Sequence, residues 1–135
     1  MKKDTALNKL VKEYNRPDSV AVITPFPVIK DKVRTNVSGI ALYSYHLTPS
    51  LSRLLEKLDR KLIIICDTKP GQETQIDENG VLILPTWKRN DIRSYRNIRE
   101  TLKKFDKVKD IFIHFDFNVY GEAIVSVMFP LLLLS

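Results

Sequence analysis

Leu62-Ile63-Ile64-Ile65-Cys66 is the stretch on which the fold turns. Five apolar residues in a row, three of them β-branched, suit a strand covered by other elements on both faces. A half-exposed strand would alternate, and a surface helix would repeat every three or four residues; this run does neither. Ser19-Val20-Ala21-Val22-Ile23-Thr24 has the same character and stops at Pro25 and Pro27. Val81–Leu84, closed by Pro85, and Ile111–Phe115 read as two further strands.

Helical spacing fills the gaps. Leu7, Leu10, Val11 and Tyr14 predict an opening helix within residues 1–18, an N-terminal helical extension ahead of the domain at 19–135. Ile40, Tyr43, Leu47, Leu51, Leu54 and Leu58 predict a helix starting near Ser38 or Gly39, which Pro49 either kinks or divides. Residues 25–37 read as a loop, and the polar segment 67–80 must turn at Pro70-Gly71 and Asn79-Gly80. Asn90 or Asp91 is expected to cap a helix burying Ile92, Tyr95, Ile98, Leu102 and Phe105, with an apolar helix from Gly121 onward. The order strand, helix, strand, strand, helix, strand, helix predicts a doubly wound, Rossmann-like α/β domain with a mostly parallel sheet and helices on both faces. Ligands in such folds sit beyond the C-terminal ends of the strands. Here those ends are residues 25–39, 67–70, 85–90 and 114–121.

Bulk composition narrows the chemistry. With 44% hydrophobic and 28% charged residues the chain is globular in character. Its formal charge of +6 favours anionic partners without choosing among them. Arg89, Arg93, Arg96 and Lys103 lie largely on the outer side of their helix, a pattern shared by phosphate-steering surfaces and ordinary solvated faces. Nucleic acid is not the expected partner. A single cysteine, Cys66, sits inside an apolar run and fits a reducing, cytoplasmic setting. Two histidines and one cysteine at scattered positions give no zinc spacing, so no metal is expected. There is no dinucleotide glycine fingerprint, no phosphate-loop motif and no nucleophile elbow. Residues 1–18 are too polar for a signal peptide, and the apolar run Ala123–Leu134 is too short to span a bilayer as a helix.

The strand ends supply the candidate site residues. Gly39 opens a helix, where a bare backbone and free N–H groups suit a phosphate or carboxylate, or simply ease a turn. His114, in Ile113-His114-Phe115-Asp116-Phe117-Asn118, can bind a sugar hydroxyl or move a proton, or serve as a structural histidine. Asp116 is its nearest carboxylate in sequence and a candidate for a polar pair. His46 is expected to be structural or solvent-exposed.

Three segments together resemble the start of family-4 (GT-B fold) glycosyltransferases of archaeal type: Val20–Pro27, Ser38–Leu47 and Ile113–Gly121. The resemblance covers nearly all of the chain after residue 18. It implies an incomplete GT-B N-terminal domain whose parent activity transfers a sugar from a nucleotide-sugar donor to a sugar or lipid-linked acceptor. It sets Gly39 near the donor phosphates or reacting sugar and His114 at the polar strand-end position. Asn118 and Gly121 would then shape the acceptor-side loop. No separate cofactor is implied. Because the family works with two domains across a cleft, this chain is expected to need a complementary subunit and to be inactive alone. The rival expectation is a non-catalytic binding or oligomeric assembly module derived from such an enzyme, with Phe129–Leu134 at a homo-oligomer interface. A third attaches that run and the basic patches peripherally to a membrane surface.

Overall fold

The computed structural model describes residues 2–30, 33–35 and 39–114. Helix α1 spans Lys2–Tyr14, strand β1 Val20–Ile23, β2 Val28–Lys30 and β3 Val33–Thr35. Helix α2 follows at Gly39–Lys57, then β4 Leu62–Asp67, β5 Gln75–Ile76 and β6 Leu82–Trp87. Helix α3 at Ser94–Lys104 leads into β7 at Asp110–Ile113. The expected helix from Gly121 and the apolar run 123–134 lie outside the described residues, as does the expected continuation of β7 to Phe115.

The chain is α/β, with a five-stranded sheet in the order β5-β6-β4-β1-β7. β6, β4, β1 and β7 run parallel, and only the two-residue β5 is antiparallel. β1 sits between β4 and β7, with Val20 opposite both Leu62 and Asp110. This order is compatible with a Rossmann-like half.

Alternation divides the strand residues between two cores. Ala21, Ile23, Ile63, Ile65, Leu82 and Leu84 pack with Tyr14 of α1 and Ile98 of α3. Val20, Val22, Leu62, Ile64 and Ile83 pack with Leu55 of α2 and Phe26 on the opposite face. Burying each such large side chain contributes about 1.5–3 kcal/mol, which makes the uninterrupted apolar runs the main source of stability. α1 belongs to this structure: the Tyr14 hydroxyl donates to the Gly80 carbonyl at 2.7 Å, and the Ser19 hydroxyl donates to the Tyr14 carbonyl at 2.7 Å. Burial raises the Tyr14 pKa, helped by Glu13 and Asp77. The turns expected at Gly71 and Gly80 both use positive φ, 80° and 75°.

Several local expectations are corrected. The segment 25–37 contains an antiparallel hairpin, with Ile29 opposite Arg34. Pro49 lies inside α2 without dividing it. β6 continues through Pro85 to Trp87; beyond Ile83 it has no outer neighbour among the described strands, and an edge tolerates proline. α3 begins at Ser94 after Arg93, which provides no side-chain cap, although the Asp91 carboxylate accepts the Arg93 N–H at 3.0 Å. The face of α2 turned to the sheet is Ala41, Ser44, Thr48, Ser52 and Leu55, one step round from the leucine stripe. Its buried hydroxyls are satisfied: Thr48 donates to the Ser44 carbonyl within the helix at 2.7 Å, and Ser52 to the Asn79 carbonyl, 27 residues on, at 3.1 Å. β7 is exposed along its length rather than covered on both faces. No helix among the described residues is long and apolar enough to cross a membrane.

Candidate functional site

β1 leads through α2 to β4 on one side, while β7 arrives beside β1 after α3 on the other face. The carboxyl ends of β1 and β7 therefore flank a topological switch point, where open α/β sheets leave a crevice for ligand. Thr24 follows β1 and His114 follows β7. The His114 N–H donates to the Ile23 carbonyl at 3.0 Å, and the Thr24 N–H to the Ile65 carbonyl at 3.0 Å, so both residues are fixed by the sheet ladder itself.

Three polar side chains converge at this point. His114 Nδ1 lies 3.2 Å from Thr24 Oγ1 and 3.2 Å from Ser44 Oγ, and the two hydroxyl oxygens are 2.7 Å apart. Thr24 and Ser44 are buried, while His114 is partly exposed. Each hydroxyl can donate or accept, so the pair can satisfy Nδ1 with or without its proton. Burial then decides the charge state, lowering the His114 pKa from its ordinary value. Tyr43, one turn into α2, sets its ring 6.1 Å from the imidazole, and its 61% exposure makes it an outer wall. A neutral imidazole here can hydrogen-bond a ligand hydroxyl or accept its proton.

The neighbouring strand end is charged. Asp67 accepts the Phe26 N–H at 3.1 Å through Oδ1 and pairs with Lys69 at 3.3 Å through Oδ2. The Lys69 ammonium also donates to the Phe26 carbonyl at 3.5 Å. This ion pair, with side chains only 10% and 16% exposed, pins the loop after β1 across the end of β4. Cys66, beside it, is buried, and burial pushes its thiol far above the ordinary range, which leaves it a poor nucleophile.

Gly39 is exposed at the start of α2, on the same helix that brings Tyr43 and Ser44 to His114. An added Cβ there would meet nothing within 4 Å, and its φ is not in the left-handed region, so neither packing nor backbone conformation demands glycine. Asp116, Asn118 and Gly121 lie outside the described residues, and with them the expected His114–Asp116 pair. His46 is exposed, its ring 5.5 Å from that of Tyr45. Among the described residues no group of three or more His, Cys, Asp and Glu could hold a metal ion.

Sequence reasoning found His114 but missed both hydroxyls around it. Thr24 was legible only as the last residue of an apolar strand. Ser44 carried one faint signal, its place on a helix side made of small residues. No protein-family model, curated protein or solved structure matches the chain. The fold and site define its class: an α/β domain with a mostly parallel sheet and a polar cluster at the β1–β7 switch point.

Proposed function

We propose that the chain is a Rossmann-like N-terminal domain of a GT-B glycosyltransferase, acting in the cytoplasm with a second domain that supplies the other wall of the cleft. The observation that carries this reading is the position of His114: neutral, backed by Thr24 and Ser44, at the strand end where the resemblance sets the family's polar histidine. Gly39 supports it, because a glycine that its own surroundings do not require fits a backbone approached by a ligand. The donor is a nucleotide sugar, and the acceptor a sugar or lipid-linked sugar. In this arrangement His114 hydrogen-bonds a hydroxyl of the reacting sugar, while Asp67 and Lys69 hold the adjoining loop in place.

The test combines the chain with candidate complementary domains and follows transfer from a panel of nucleotide sugars. Transfer should require both parts and fall at least a hundredfold in His114→Ala, on the scale of lost acid–base or hydrogen-bond catalysis. Independently, saturating sugar or nucleotide sugar should move the imidazole NMR signals of His114. Absence of transfer with every partner, together with an unmoved His114 signal, sinks the reading.

A second reading, a non-catalytic assembly module, is favoured by one observation. Leu54 in the last turn of α2, Leu58 just beyond its end and Phe112 on β7 are 57%, 60% and 57% exposed. Phe112 pairs with Val22, which faces the α2 side, so Phe112 lies on the side of the sheet that α2 covers. Contact with a second copy would cover these groups, as apolar patches at interfaces are covered. Sedimentation equilibrium decides it: self-association in the absence of other proteins supports the module, and a monomer at high concentration removes it.

A further inference from the structure

The entire net charge of the chain sits on one part of the fold. Residues 88–109 hold nine Lys and Arg against three Asp and Glu, an excess of six. The full chain carries 22 against 16, so all other residues balance at 13 and 13. The charged segment is the loop after β6, α3 and the turn into β7. α3 turns Ser94 and Ile98 toward the sheet, with Tyr95 and Leu102 half-buried. Its outward side is left to Arg93, Arg96, Arg99, Lys103 and Lys104, with Glu100 as the one carboxylate among them. Arg93 pairs with Asp91 and Lys103 with Glu100, whereas Arg96, Arg99 and Lys104 make no ion pair among the described residues. A helix face kept merely soluble carries the two signs in near balance; this one carries five cations to one carboxylate.

We propose that the outer face of α3 docks the protein on an anionic phospholipid surface. The ligand must be polyanionic, and the lack of exposed rings on this face favours lipid over single-stranded nucleic acid. Binding of single strands relies on exposed aromatic rings, but Trp87 and Phe105 are buried and Tyr95 half-buried. A duplex would be met through its phosphates by the same charges, so it is set against lipid in the binding test. A charged bilayer asks only for a broad cationic face, each Lys or Arg adding to the attraction within a Debye length. Ile92, 36% exposed in the loop leading into α3, adds an apolar contact at the headgroup level. The inference stands apart from sugar transfer, since it needs neither His114 nor a second domain.

Co-sedimentation of the full chain with large vesicles tests it. Binding is expected to phosphatidylcholine vesicles containing phosphatidylserine, to be absent with phosphatidylcholine alone, and to weaken as salt is raised. Arg96→Gln, Arg99→Gln and Lys104→Gln together should lower partitioning roughly a hundredfold, at about fivefold per charge. Lys9→Gln, Lys12→Gln and Lys57→Gln remove the same charge from exposed positions elsewhere and should leave most of the binding intact. Equal losses in the two triple variants, no binding to anionic vesicles, or tighter binding to single- or double-stranded nucleic acid at equal phosphate would each overturn the proposal. The lipid and salt dependence of the unaltered chain decides the matter even if a triple variant fails to fold.

Discussion

Nδ1 of His114 faces two hydroxyls that can serve either of its protonation states, so its charge is set by the surroundings rather than by a dedicated partner. Burial favours the neutral ring and lowers its pKa. In the unfolded chain a histidine takes up its proton near an ordinary value of about 6.5, whereas the folded one resists it to lower pH. The stability contributed by the neutral ring is therefore full above that ordinary value and is lost as pH falls through the lowered one. The urea midpoint should drop on going from neutral to mildly acidic buffer, and His114→Gln should flatten part of that slope. An NMR titration placing His114 at or above the ordinary value would contradict the burial argument. Asp67 and Lys69 give a second residue-scale prediction. Lys69→Met leaves a carboxylate largely buried without its counter-charge and should cost about 3 kcal/mol by urea denaturation. Removing both charges, in Asp67→Asn with Lys69→Met, should cost less than Lys69→Met alone, because the neutral amide can still accept the Phe26 N–H.

At the scale of elements, α2 explains why a correct helix can be assigned the wrong inner face. Its leucines at 47, 51 and 54, with Leu58 just beyond its end, form the more conspicuous apolar stripe, but Ser44, Thr48 and Ser52 are the residues buried beneath it. Hydropathy favours leucine on the inside, yet the small hydroxyl-bearing side chains are the buried ones, because each finds a hydrogen-bond partner there. Pro49 removes the N–H that would reach the Tyr45 carbonyl, yet the helix continues on both sides of it. Pro49→Ala should raise stability by about 1–3 kcal/mol, read as a higher thermal midpoint, by restoring an ordinary helix interior. The long strands were legible because five or six consecutive apolar residues leave few alternatives. β5, with two residues, and the hairpin of β2 and β3, with three in each strand, offered too short a pattern for periodicity to register. The site was half legible for a related reason. His114 is a polar residue at a strand end, visible locally, whereas its hydroxyl partners lie 90 and 70 residues away and meet it only through the sheet order.

For the whole molecule, the sheet is asymmetric. α1 and α3 build one core and α2 the other, while β7 is exposed from Asp110 to Ile113. Leu54→Lys with Leu58→Lys tests whether the uncovered α2 side joins copies of the chain. Solvent-facing substitutions change stability by only about 0.5 kcal/mol, so a monomeric sedimentation profile with an unchanged melting midpoint would locate an interface there. A shared loss of fold and assembly would instead make those leucines part of the core.

The central position of β1 also bears on how the protein is born. Synthesis delivers β1 early, and its first parallel neighbour, β4, begins 42 positions later with Leu62 opposite Val20. Its other neighbour is completed only at Ile113, opposite Ile23. At about 5–20 residues per second, the hydroxyl of Thr24 precedes His114 by roughly 5–20 s. For that interval one edge of β1 is without its partner, and such an edge is open to strands from other nascent chains. Released chains truncated before residue 110 should therefore depend more on chaperones than those extending beyond 114, and a pulse-labelled release assay would register the step.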